Sequence, residues 1–68
     1  MTFDAAMRLG WGHARAGQFD QASYAFGRAT ALVPGSAQAW RALADTRHAA
    51  GDARGGGEAH LRAIAASV

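Results

Sequence analysis

The chain has 68 residues, no cysteine, one proline and nine glycines, and its seven arginines stand against five acidic residues for a formal net charge of +2. That length holds one small domain that buries little of its surface, and the absence of cysteine excludes disulfide staples and thiolate metal sites. The basic residues, Arg8, Arg15, Arg28, Arg41, Arg47, Arg54 and Arg62, form no cluster or basic arm, so no nucleic-acid interface is expected.

Along the chain, the first ten residues carry Asp4 and no apolar run long enough for a secretory segment or a membrane span, which points to a cytoplasmic chain with no membrane partner. Turn signals at Gly17 with Asp20, at Pro34-Gly35-Ser36 and at Gly51-Asp52 cut the sequence into four segments. Alanine is the commonest residue and β-branched residues are few, so each segment is predicted to be helical: 3–16, 20–33, 37–50 and 53–66. Thr2, Asp20, Ser36 and Asp52 are the expected N-caps, and Gly17 and Gly51 the expected C-terminal glycines. Within the first segment, LGWGHARAGQF places Gly10 and Gly12 in helical surroundings, where each costs about 0.5–1 kcal/mol relative to alanine. Such glycines call for a reason. In the last segment the Gly55-Gly56-Gly57 run predicts a loosened helix.

Gly17 and Gly51 stand 34 residues apart, as do Leu9 and Leu43, Ala16 and Ala50, Arg28 and Arg62, and Ala29 and Ala63. Coincidences at one offset indicate two copies of a helix-turn-helix unit. This spacing, with Leu9-Gly10, Gly17, Phe19, Ala22, Phe26, Ala29 and Pro34 in the first copy and Trp40, Leu43, Gly51 and Ala63 in the second, resembles the tetratricopeptide repeat. Departures are Ala6 and His13 where the family has tryptophan and tyrosine, and Ala44, Arg47, Ala53, Gly56, His60 and Val68 in the second copy. The resemblance covers nearly the whole chain. It implies an all-α fold of one domain, residues 1–68, with repeat one at about 3–36 and repeat two at about 37–68: four antiparallel helices, a fragment of an α-solenoid. It further implies that Gly10, Ala22, Ala29, Ala44 and Ala63 allow close helix approach while Leu9, Phe19, Phe26, Trp40 and Leu43 fill the core. His13 and His60 become half-buried spacers. Gly12 has no role in the pattern.

Catalytic and cofactor chemistry finds little to stand on. Gly10-Trp11-Gly12 has no preceding strand and no third glycine at the dinucleotide spacing, and the Gly55–Gly57 run lacks the lysine and hydroxyl of a phosphate loop. No two of His13, His48 and His60 share a helix face at ligand spacing, and no serine has a histidine and acid in readable register. The expectation is a non-enzyme with no cofactor and no metal.

What remains is surface. In the repeat family the first helix of each unit lines a groove, and the matching positions here are Asp4, Met7, Arg8, Trp11, Ala14 and Arg15, then Gln38, Arg41, Ala42, Asp45, His48 and Ala49. The resemblance thus implies a protein or peptide partner, with Trp11 and Met7 as apolar anchors and Arg8, Arg15 and Arg41 meeting carboxylates or carbonyls. Trp11 packed only against its own neighbours is the alternative. Met7, Trp11 and Ala42 replace the lysine and asparagines of members that clamp chaperone C-termini, so that ligand is not expected. Leu61, Ile64, Ala65 and Val68 fall at helical spacing as an apolar stripe, from which a homodimer joined at its C-terminal ends is expected. The rival reading is a pair of terminal repeats that hold or position a catalytic domain of a larger protein.

Overall fold

The computed structural model describes residues 1–67, apart from the side chains of residues 53 and 54. Those residues form four helices: α1 (Phe3–Arg15), α2 (Phe19–Leu32), α3 (Ala37–Ala49) and α4 (Ala53–Ser67). The fold is all-α, and each boundary falls within one residue of the position the turn signals predict. Shifting α1 by 34 residues reproduces α3, and shifting α2 reproduces α4 to within one residue at its end. The chain is therefore two helix-turn-helix units in a common register.

Local chemistry fixes the ends. Thr2 Oγ1 accepts the Ala5 N–H at 3.1 Å, Ser36 Oγ accepts the Ala39 N–H at 3.2 Å, and Asp52 Oδ1 accepts the Gly55 N–H at 2.9 Å. Each bond satisfies a donor that the helix itself leaves open. Gly17, at φ +75°, sends its N–H to the Ala14 carbonyl while Gln18 reaches back to His13 at 2.9 Å; Gly51, at φ +91°, does the same toward His48 while Asp52 reaches Arg47 at 2.8 Å. These are paired Schellman turns. The first one corrects the expected cap at Asp20: because Gln18 closes α1, α2 restarts at once, and Gln18 is its N-cap without a side-chain bond to the helix N-terminus. Asp20 lies in the first turn, where its charge meets the positive end of the helix.

Turns this short fold each helix back onto its predecessor, so α1 packs on α2, α2 on α3, and α3 on α4. The Cα envelope is a slab of 32 × 27 × 14 Å, two helix layers deep. Its core is built chiefly from alanine (Ala6, Ala22, Ala25, Ala29, Ala39, Ala42, Ala44, Ala59 and Ala63), with Met7, Phe26 and Leu43 as the larger buried apolar side chains. Small side chains bring the backbones close. At Gly10 the approach of α1 to α2 is close enough that a Cβ there would lie 2.5 Å from the Phe26 ring.

Several core expectations are corrected. Leu43 is 1% exposed, but Leu9, its equivalent in the first unit, is 47% exposed, because α3 has α2 beside it and, among the described residues, no helix covers the same side of α1. His60 is exposed, whereas its equivalent Phe26 is fully buried against Gly10 and Trp11 of α1; among the described residues no helix follows α4 to cover His60. Trp40 is half-buried, its Nε1 donating to the Pro34 carbonyl at 2.7 Å and its ring facing the Arg62 guanidinium at 5.4 Å. The Gly55–Gly57 run lies within a continuous helix. A Cβ on Gly56 would strike the His48 ring and one on Gly55 would strike Asp52, so these two glycines serve close packing.

Candidate protein-interaction surfaces

Helical spacing places Asp4, Arg8, Trp11 and Arg15 on one exposed stripe of α1, and Gln38, Arg41, Asp45 and His48 on one exposed stripe of α3. Among the described residues the ion pair present joins Arg62 to Glu58 at 4.0 Å, so Arg8, Arg15 and Arg41 keep their donors for water or a ligand. Trp11 does two things. Its indole meets Phe26 edge-on, with centroids 5.0 Å apart at 74°, yet the side chain remains 42% exposed. Held by a rigid neighbour and open on its other side, it is pre-oriented for contact. His48 lays its ring over Gly56, which fixes the ring's position on the stripe.

Met7 is corrected as an anchor. It points between α1 and its neighbours and is part of the core, because it falls on the same helix face as Phe3, Gly10 and Ala14. Ala42 is likewise buried and Ala14 packs against the core, so neither offers contact area to a ligand.

Two further surfaces lie on the opposite flanks of the stack. On α1 a shallow apolar depression is lined by Ala5, Arg8, Leu9, Gly12 and His13, and a second adjoins it between Leu9, His13 and the α2 residues Gln21, Tyr24 and Ala25. His13 Nδ1 lies 2.8 Å from Gln18 Oε1, which holds the imidazole at the rim. The sequence-based reading put Leu9 in the core and so missed this surface. The available signal is the pairing of Leu9 with Leu43 across two units, of which only the second has a described helix before it. On α4, Leu61 and Ile64 are both more than half exposed and share a stripe with Gly57. Ala65, one turn after Leu61, is exposed and lines a depression shared with Pro34, Trp40 and Arg62, and Val68 lies outside the described residues.

No three His, Cys, Asp or Glu side chains converge among the described residues, and no helix of the described residues is long and apolar enough to cross a membrane. The buried hydroxyls are internally satisfied: Thr30 donates to Gly27 O at 2.7 Å, and Thr46 donates to the Ala42 and Leu43 carbonyls. Set against known proteins, the chain matches no family model, no curated protein and no solved structure.

Proposed function

We propose that this chain is a non-catalytic, cytoplasmic protein-interaction module of tetratricopeptide-like repeats, which binds an extended peptide or a helix along the exposed stripes of α1 and α3. Trp11 carries the reading: a large aromatic side chain, braced on Phe26 and still open to solvent, is the residue type that dominates binding energy at protein interfaces. The nearby arginines supply charge-assisted donors for peptide carboxylates or carbonyls. The common 34-residue register of the two helical hairpins supports the repeat assignment. The second reading, repeats that hold or position a catalytic domain of a larger protein, is favoured by the exposed apolar flanks at Leu9 and at Leu61 and Ile64.

The test is selection of binding peptides from a random display library followed by titration calorimetry. Arg41→Glu is expected to weaken the selected peptides by more than about 1 kcal/mol, with an unchanged helical spectrum, since Arg41 is exposed. Trp11→Ala is expected to weaken them at least as much. Unchanged affinity in both variants would refute the assignment of the stripe.

A further inference from the structure

The contact between α2 and α3 is a template for both flanks of the stack. On the α2 side, Ser23 Oγ donates to Thr46 Oγ1 at 3.2 Å, and Phe26 and Thr30 on the same stripe are buried. On the α3 side, Ala39, Leu43 and Thr46 share one stripe and are buried as well. Moved forward by 34 residues, the α2 stripe becomes Gly57, His60 and Ile64 of α4. Moved back by 34, the α3 stripe becomes Ala5, Leu9 and Gly12 of α1. These residues are exposed or half-buried. The molecule thus displays, on opposite flanks, the two halves of an interface that it already makes internally.

We infer that a second copy of this chain occupies each flank, stacked head to tail, with α4 of one copy resting on α1 of the next in the register of α2 on α3. The substitutions between the two units fit that occupant. Where the internal contact has the Ser23–Thr46 hydroxyl pair, the flanks bring together Gly57 and Gly12, so no hydroxyl is buried without a partner. A Cβ on either glycine would meet nothing within 4 Å inside its own chain, so packing within one copy does not require them. Close approach between copies does. The bulk removed there returns one and two turns away, with Leu61 at the Gly27 position and Ile64 at the Thr30 position, facing a surface where Leu9 keeps the leucine of Leu43. Because the two flanks are different surfaces, the contact is heterologous and repeats from copy to copy.

Sedimentation analysis of the purified chain from low micromolar to millimolar concentration tests the inference. The average mass is expected to climb past that of a dimer as concentration rises. Gly12→Arg blocks the α1 flank and Gly57→Arg blocks the α4 flank, and both place the new side chain in open space while favouring helix. Each variant alone is expected to stay monomeric, and an equimolar mixture to double in mass, since one retains the flank that the other presents. Leu9→Glu and Ile64→Glu, at exposed positions, repeat the same pairing by charge, and circular dichroism confirms that each variant is folded. A Gly12→Arg sample that dimerises by itself would establish a symmetric contact between α4 helices and overturn the stacking; a Gly57→Arg sample that does so would overturn it through α1. A wild-type monomer throughout would assign the flanks to a different protein and equally overturn it. Arg41→Glu, remote from both flanks, should leave the association unchanged, which separates this result from that of the peptide titration.

Discussion

Gly10 and Gly12 sit two residues apart in α1, and replacing each by alanine should move stability in opposite directions. Both substitutions gain about 1 kcal/mol of helix propensity. At Gly12 nothing offsets that gain, because a Cβ there meets no atom within 4 Å, and Tm should rise by about 4–8 °C for a domain of this size. At Gly10 the Cβ would lie 2.5–2.7 Å from three atoms of the Phe26 ring, roughly 1 Å inside the optimal carbon–carbon separation of about 3.5–4.0 Å. The ring has nowhere to retreat, being fully buried with Trp11 edge-on against it. Overpacking of this kind costs about 1–3 kcal/mol, and the upper half of that range leaves Gly10→Ala about 1 kcal/mol or more below wild type. Urea and thermal unfolding followed by circular dichroism at low micromolar protein would measure both. A Gly10→Ala variant that melts above wild type would refute the close approach of α1 to Phe26. Repeat two supplies an internal control, because Ala44 occupies the equivalent position and is tolerated where the exposed His60 replaces Phe26. Combining Gly10→Ala with Phe26→Leu should accordingly cost less than the sum of the two single changes.

The exposure difference between equivalent leucines predicts that Leu43→Ala costs about 2–5 kcal/mol while Leu9→Ala costs under about 1 kcal/mol in the dilute monomer, as read from urea midpoints. Similar costs at the two positions would mean that α1 is covered on its outer side. Gly51→Ala forces an alanine to φ near +91° and should cost about 1–2 kcal/mol, whereas Gly27→Ala, at a helical position with open space around it, should be neutral or stabilising.

The elements readable from sequence are those decided within a few residues. Thr2, Ser36 and Asp52 cap because their oxygens reach an N–H three residues on, and Gly17 and Gly51 close helices because a left-handed residue is needed there. The same local logic points to Asp20 as a cap, but Gln18, which closes α1, also starts α2 and leaves Asp20 inside the first turn. Burial was less readable, because periodicity gives the position of a residue in a repeat and says nothing of whether a neighbour covers it. Leu9 and His60 carry the pattern of core residues on flanks that no described helix covers. Met7 and Trp11, four residues apart on one helix, separate into core and surface because Met7 falls on the stripe of Phe3, Gly10 and Ala14 and Trp11 on that of Asp4, Arg8 and Arg15. The spacing of the α4 glycines suggests weakness because the α3 side chains against them, His48 at Gly56 and Arg47 at Gly55, meet them only once α3 and α4 are side by side.

Every substantial helix contact joins elements adjacent in sequence: α1 with α2, α2 with α3, α3 with α4. Loop-closure entropy is therefore small at each step, and a chain so organised belongs with the helical proteins that fold in microseconds to milliseconds. The linear order also removes all-or-none protection. Opening α4 exposes Ala59 and Ala63 and uncovers part of α3, yet leaves the α1–α2 hairpin and its Phe26 contacts untouched. Amide hydrogen exchange should accordingly follow a gradient, slowest in α2 and α3, which are flanked on two sides, and fastest in α4 and the outer face of α1.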